Sequence, residues 1–166
     1  MGDDRRVGGS CLDKTVHNTF KHQIANNIIP QIGSKQDNLF TSEEMKMQNE
    51  GRKIIHLPEL LVDCTCVRIP VMRSHSISVT LDLEKKVSVD EVRNAVKNFK
   101  NVELKDDLDT DTYPMPLFTQ NRDIVEVGRI RESLIFENGI SLFCSGDQIR
   151  KGAATNAVEI LEELIK

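Results

Sequence analysis

The sequence predicts an α+β domain with a mixed, largely antiparallel sheet and helices packed on one face of that sheet. Three observations lead to this fold class. Two segments begin with capping boxes and continue at helical spacing, other short segments alternate apolar and polar residues, and some of these are joined by hairpin-length turns. At 166 residues the chain is long enough for one domain with its own core, and short for two.

The first part of the chain has little hydrophobic periodicity. Residues 1–19 combine glycines with mixed charges and are expected to form an irregular leader, so that the domain covers 20–166. The segment FKHQIANNIIPQIG contains a proline and a glycine, and we expect a short strand or irregular structure there. Next, Thr41 and Glu44 have the spacing of a capping box, which predicts a helix over 42–55.

Two β-compatible runs and a second helix follow. Residues 60–69 are mostly apolar or small, and residues 76–83 alternate strictly, so that four apolar side chains share one face of a predicted strand. SVDEVRNAVKNF has another capping box, Ser88 with Glu91, followed by apolar residues at helical spacing. It is the clearest amphipathic helix in the sequence and is expected to pack on a sheet.

The last third is predicted to contain a hairpin and a terminal helix. An acidic, turn-rich segment leads to a strand at about 124–131, and the turn ENG precedes another strand over 140–145. Asp147 is positioned to cap the final helix, whose first half consists largely of small residues. Small side chains permit the close approach of another backbone.

Composition excludes several classes of function. The formal net charge is −4, Trp is absent and Tyr occurs once, which disfavours a basic, aromatic nucleic-acid surface. No apolar run approaches the roughly 20 residues that cross a bilayer, and the N-terminus lacks a signal peptide's apolar region, so we expect no membrane partner and a cytoplasmic location. Four irregularly spaced cysteines predict free thiols, and CTC lacks further ligands at zinc spacing, so no metal site is predicted.

The segment CVRIPVMRSHS contains the densest candidate chemistry. Arg68 is permanently charged and costly to bury alone, so it requires a carboxylate or phosphate partner, either internal or bound. His75 can give and take a proton near neutral pH, although a histidine at the start of a strand is more commonly a structural residue. Glu43 and Lys46, three residues apart on a predicted helix, are compatible with an ordinary surface ion pair.

This segment, together with EEMKMQNEGRKI, GRIR and GDQIRKGAATNAVEI, resembles the C-terminal half of bacterial aspartate-β-semialdehyde dehydrogenases over about residues 20–166. The resemblance implies a substrate-binding and dimerisation domain of the glyceraldehyde-3-phosphate-dehydrogenase-like type. That family carries out the NADPH-dependent reductive dephosphorylation of L-aspartyl-4-phosphate to aspartate semialdehyde, for lysine, methionine and threonine biosynthesis. A cysteine thiolate forms a thioacyl intermediate in the reaction.

The same resemblance implies a role for each candidate residue. Arg68 would bind the substrate carboxylate, Glu43 its amino group and Lys46 its phosphate, while His75 would act as the general acid/base. Gln148 corresponds to a position beside the NADP cofactor. Arg68 and His75 would then line one pocket, and the protein would be a homodimer or a higher oligomer.

The family's nucleotide-binding half has no counterpart in this sequence. Its glycine-rich dinucleotide loop and Asn-Cys nucleophile motif are absent, so NADP would be bound mainly by that other half and the isolated chain is expected to be inactive. Two alternatives stay open. One is a non-catalytic dimerisation module, and the other is an enzyme resembling N-acetyl-glutamyl-phosphate reductase, although the spacing of EEMK and RSHS favours aspartate chemistry.

Overall fold

The computed structural model describes residues 19–166, which divide into two compact units. The first unit ends at Pro70 and the second unit begins at Val71. Almost all of the expected leader lies outside the described residues. Within residues 19–166, no helix combines the length and the apolar character needed to cross a bilayer.

A helix near the middle of the first unit confirms the first capping box. Helix α1 runs over Ser42–Ile54, with Thr41 as its N-cap. The Thr41 side chain accepts from the Glu44 backbone N–H, and the Glu44 carboxylate accepts from the Thr41 N–H at 2.7 Å. Two backbone donors at the start of the helix are therefore satisfied reciprocally.

The run over 60–69 does not form the expected strand. Only Arg68 pairs, in an isolated antiparallel bridge in which its backbone exchanges hydrogen bonds of 3.0 and 2.9 Å with Ile29. Burial still alternates over residues 60–67, as in an extended chain. Among residues 19–70, no second strand lies beside this run with which a ladder could continue.

The second unit contains a four-stranded sheet. Its strands are β1 (His75–Asp82), β2 (Val102–Leu104), β3 (Val125–Glu132) and β4 (Gly139–Gly146). The spatial order is β1-β4-β3-β2, in which β4 pairs antiparallel with both neighbours and β2 pairs parallel with β3. This arrangement confirms the predicted α+β class, the largely antiparallel sheet and the β3–β4 hairpin.

Helix α2, Val89–Asn98, begins at the predicted capping box of Ser88 and Glu91 and packs along β2 and β3. A single short turn of helix, α3 (Pro116–Thr119), contacts β4 and was not predicted, nor was β2.

The terminal helix begins with an unusual turn. Residues Arg150–Ala154 form a π-helical turn, and α4 continues over Thr155–Leu164. The N–H of Gly152 donates to the Asp147 carbonyl and the N–H of Ala154 donates to the Ile149 carbonyl, both at 3.0 Å. These bonds span five residues instead of four, which identifies the π turn.

One face of the sheet is covered by the chain that links β2 to β3. The Thr119 hydroxyl lies 3.1 Å from the Ser145 hydroxyl of β4, and both residues are buried. On β3, a Cβ added to Gly128 would lie 1.7 Å from the Lys105 carbonyl oxygen and 2.9 Å from Pro114 Cδ. Only a glycine lets the covering segment pass this closely over β3.

We therefore expect Gly128→Ala to lower the free energy of unfolding by about 1 to 3 kcal/mol or more, because the obstructing carbonyl belongs to the backbone and cannot rotate away. Urea titration followed by circular dichroism measures the change. Gly152→Ala is the matched control, since its added Cβ would meet nothing closer than 3.7 Å. Equal midpoints for the two variants would contradict this account of Gly128.

Candidate active site

The predicted site residues fall into both units. Glu43, Lys46 and Arg68 lie in the first unit, and His75 and Gln148 lie in the second. The single pocket expected for Arg68 and His75 stays a prediction.

Glu43 and Lys46 form a surface ion pair on the first turns of α1. Lys46 Nζ lies 3.4 Å from Glu43 Oε2, and the two side chains are 58% and 40% exposed. An exposed pair of this kind contributes little to stability, because water screens both charges. Both groups are accessible to a bound molecule.

The neighbouring residue, Glu44, is buried and joins α1 to the chain that leads to Arg68. One of its carboxylate oxygens accepts from the Cys66 backbone N–H at 2.9 Å, while the other accepts from Thr41. The backbone donors of Thr41 and then of Cys66 lower the pKa of Glu44. The sequence indicated the capping role of Glu44 but gave no signal of the link to Cys66.

Arg68 has an exposed side chain and an aromatic neighbour. Its guanidinium carbon lies 5.0 Å from the centre of the Phe20 ring, a cation–π contact that supports the planar group from one side. It forms no ion pair with a carboxylate of residues 19–166. Its guanidinium also has no hydrogen-bond partner among those residues, so within the described part of the chain its donors are available for a bound anion.

The thiols of the described residues are poorly suited to nucleophilic attack. Burial, followed by the neighbouring Cys64 and the carboxylates of Glu44 and Glu43, raises the pKa of Cys66 to about 11. Burial likewise raises the pKa of Cys64 and of Cys144. All three are free thiols, as predicted, while Cys11 lies outside the described residues. Within residues 19–166, no three His, Cys, Asp or Glu side chains converge as metal ligands would.

His75 is the first residue of β1 and pairs with Gly146 of β4. Its carbonyl oxygen accepts a hydrogen bond of 3.2 Å from the Ser145 hydroxyl, and its side chain is exposed on the same face of the strand as Ile77. The backbone of His75 is thus held by the sheet while its imidazole is accessible.

The structure brings Gln148 to the residue that precedes His75. The side-chain oxygen of Gln148 accepts from the Ser74 backbone N–H at 2.8 Å. Because His75 and Gly146 are paired, the chain before β1 and the chain after β4 leave the same end of the sheet. The two candidate residues of the second unit therefore lie at one end of it.

Asp147 has a larger role than the helix cap expected from sequence. Its side chain is fully buried, and one oxygen accepts from the backbone N–H groups of Ile149 and Arg150 at 2.9 and 3.1 Å. The other accepts from the Asn121 N–H at 2.7 Å. Burial by itself would raise the pKa of Asp147, but these donors and the Arg73 guanidinium outweigh it and hold the pKa well below its usual range.

Comparison with known proteins gives consistent matches. A family model described as the dimerisation domain of semialdehyde dehydrogenase matches residues 10–151. Curated relatives include the aspartate-semialdehyde dehydrogenase of Aquifex aeolicus, 47% identical over 147 residues, and that of Bacillus subtilis, 45% identical over 146. These alignments cover 89% and 87% of this chain but only 43% and 42% of the relatives. The chain therefore spans about two fifths of their length.

Solved structures agree with these matches. Aspartate semialdehyde dehydrogenase II of Vibrio cholerae, complexed with ASA, gives a TM-score of 0.85 at 38% identity, over 90% of this chain and 44% of that one. A probable aspartate-semialdehyde dehydrogenase of Pseudomonas aeruginosa gives a TM-score of 0.79 at 29% identity, and the match covers 89% of this chain and 43% of that one. Aspartate semialdehyde dehydrogenase of Candida albicans, solved with NADP, gives a TM-score of 0.61 at 22% identity, over 75% of this chain and 40% of that one. An identity this low shows a shared fold and nothing more.

The raised pKa of Cys66 leads to a labelling prediction. Its alkylation rate should continue to rise until the pH approaches about 11, and at pH 8 its thiolate fraction should be about a hundredfold below that of a thiol with the ordinary pKa of 9.0. Iodoacetamide labelling followed by peptide mass spectrometry measures the rate, with the urea-unfolded chain as reference. If the alkylation rate of Cys66 has the same pH midpoint in the native and in the unfolded chain, the predicted effect of burial on its pKa is contradicted.

Proposed function

The chain belongs to the semialdehyde dehydrogenase family, matching its dimerisation domain, and we propose that it is the substrate-binding and dimerisation half of an aspartate-semialdehyde dehydrogenase. The proposed reaction of the complete enzyme is the NADPH-dependent reductive dephosphorylation of L-aspartyl-4-phosphate to L-aspartate 4-semialdehyde. The observation that carries the proposal is the accessible set of Arg68, Glu43 and Lys46 in one unit of a chain with this family match.

The charges of these three side chains complement the groups of the proposed substrate. Arg68 binds the α-carboxylate, because a guanidinium can donate two parallel hydrogen bonds to one carboxylate. Glu43 accepts from the α-ammonium group, and Lys46 offsets the negative charge of the phosphate. The weak ion pair between Glu43 and Lys46 supports these roles, because breaking it to bind substrate would cost little free energy.

His75 is proposed as the general acid/base. An imidazole can take a proton from an attacking group and return it to a leaving group within one catalytic cycle. The exposed imidazole and the backbone held by β4 support this role, because they allow a reacting atom to approach a side chain whose main chain is fixed.

The nucleophilic cysteine and most of the NADP site are assigned to the part of the relatives that this chain does not span. The raised pKa values of Cys64, Cys66 and Cys144 support this division, because few of these thiols are thiolates near neutral pH. Gln148 is proposed to contact the cofactor through its amide nitrogen, since its oxygen accepts from Ser74. We place the enzyme in the cytoplasm, where such thiols stay reduced.

A complementation assay tests the proposal. Mixing or co-expressing this chain with the nucleotide-binding half of a relative should produce phosphate-dependent reduction of NADP by aspartate semialdehyde, which is the reverse of the biosynthetic reaction. His75→Ala should lower kcat by about 10² to 10⁴ fold, because general acid/base catalysis is lost. Arg68→Lys should chiefly raise KM for aspartate semialdehyde, because lysine retains the charge but cannot form the two parallel hydrogen bonds.

Glu50→Ala is the matched control for the substrate-binding residues, since Glu50 is exposed on the same helix as Glu43. It should leave both kinetic constants unchanged. Full activity of the His75→Ala complex would exclude the proposed role of His75, and no activity with any nucleotide-binding half would count against the enzymatic proposal as a whole.

A non-catalytic dimerisation module is the second candidate function, and the raised pKa values of the described thiols favour it for the chain by itself. Both candidates include a homodimer. Light scattering at micromolar concentration should therefore give twice the mass of one chain, and a monomer at that concentration would contradict the dimerisation proposal.

A further inference from the structure

Two segments of the second unit are in contact beside His75, the first residue of β1. One segment precedes β1 and contains Arg73 and Ser74, and the other follows β4 and contains Asp147 and Gln148. One contact between them is the hydrogen bond from the Ser74 N–H to the Gln148 oxygen. Another joins Arg73 to Asp147, with Arg73 Nε 2.7 Å from Asp147 Oδ2.

The Arg73 contact is principally electrostatic. The Nε atom is buried and makes no hydrogen bond of conventional geometry within the described residues, although it lies at ion-pair distance from the carboxylate. Asp147 is fully buried and already bound by three backbone N–H groups, so its position is fixed. The fixed carboxylate of Asp147 therefore holds the Arg73 side chain in place.

Ser74 adopts a backbone conformation that requires such support. Its φ is +80°, a left-handed value that is costly for a residue with a side chain. It is buried, and its hydroxyl has no hydrogen-bond partner among the described residues. Two contacts, from Arg73 to Asp147 and from the Ser74 N–H to Gln148, hold the conformation in place.

The next residue along the chain is His75. The φ and ψ of Ser74 determine the direction in which the chain enters β1, and hence the direction in which the Cα–Cβ bond of His75 points. We propose that Arg73 and Asp147 are positioning residues that hold the imidazole of His75 in its working orientation through the strained Ser74. This inference rests on the proposed acid/base role of His75 and adds the residues on which that role depends.

Neither residue touches the reacting atoms in this proposal. Asp147 is enclosed in protein and the Arg73 side chain, 28% exposed, is turned onto it through its buried Nε, so the route proposed for both is the backbone at Ser74. An ordinary structural ion pair would lower stability when broken but would affect His75 no more than any other residue of the unit. The test must therefore report on His75 itself.

The first measurement is the imidazole NMR spectrum of the chain. His75→Gln identifies the His75 signals among the four histidines of the sequence. Asp147→Asn removes the charge that holds Arg73, and Arg73→Lys keeps the positive charge but not its geometry. Both variants should shift the His75 ring signals, while those of His22 and His56, in the first unit, should stay in place.

The matched control is Asp90→Asn. It neutralises an aspartate of the same unit that also pairs with an arginine, Arg93, but is 85% exposed. This variant should leave the His75 signals unchanged. If Asp147→Asn does not fold, Arg73→Lys alone decides the NMR result. Unchanged His75 signals in every folded variant would overturn the inference, whatever the kinetics show.

The second measurement uses the complemented enzyme. Asp147→Asn should lower kcat about tenfold to a hundredfold with KM little changed, because it displaces a catalytic group without removing a substrate contact. In a His75→Ala background the same substitution should lower kcat no further, since the group that it positions is gone. An equal loss in both backgrounds would mean that Asp147 acts independently of His75 and would overturn the inference.

The two measurements separate this inference from the proposed function. Full activity of His75→Ala would refute the acid/base role, while the NMR spectra would still decide whether Arg73 and Asp147 orient the ring. Shifted His75 signals together with an unchanged kcat would refute the functional part of the inference and leave the acid/base proposal intact.

Discussion

The buried carboxylate of Asp147 accepts hydrogen bonds from backbone N–H groups and thereby fixes the end of the sheet at which His75 and Gln148 lie. An isolated ion would be costly in this position, but Asp147 receives hydrogen bonds from three backbone N–H groups and the charge of a guanidinium. An aspartate suits the position because both of its oxygens accept, so that one side chain fixes the chain after α3 and the start of the terminal helix. The orientation of everything that follows β4 depends on this one group.

The first unit uses the same kind of interaction for a different purpose. Glu44 accepts from two backbone N–H groups that are distant in sequence and thereby holds α1 against the chain near Cys66. Consecutive residues of a helix point about 100° apart, so the burial of Glu44 leaves Glu43 facing outward. Each unit therefore contains a buried carboxylate, Glu44 or Asp147, with no proposed contact to substrate. The residue next to it in sequence, Glu43 or Gln148, is a proposed binding residue whose position it helps to fix.

Features that depend on local sequence were predictable. The capping boxes at Thr41 and Ser88 marked the starts of two helices correctly, since they depend on residues only three apart. Strict alternation located β1 within one residue at each end, because a strand with one apolar face has a period of two. The family resemblance and the fold class were confirmed by the comparisons.

Features that depend on distant partners were not predictable. The three-residue strand β2 pairs with the edge of β3, whereas the run over 60–69 has no strand to pair with among residues 19–70. The bond between Ser74 and Gln148 joins residues 74 positions apart, and no periodicity reports such a contact. The left-handed conformation of Ser74 likewise follows from its surroundings and not from its residue type.

The π turn at Arg150–Ala154 has a further geometric consequence. Such a turn accommodates one more residue than an α turn. Removing one residue there, so that the turn became α-helical, would therefore leave the side chains of α4 pointing in nearly the same directions relative to the fixed Asp147. The loss or gain of one codon at the π turn can thus be absorbed without redirecting the terminal helix, whereas a one-residue deletion within α4 itself would rotate every later side chain by about 100° around the axis.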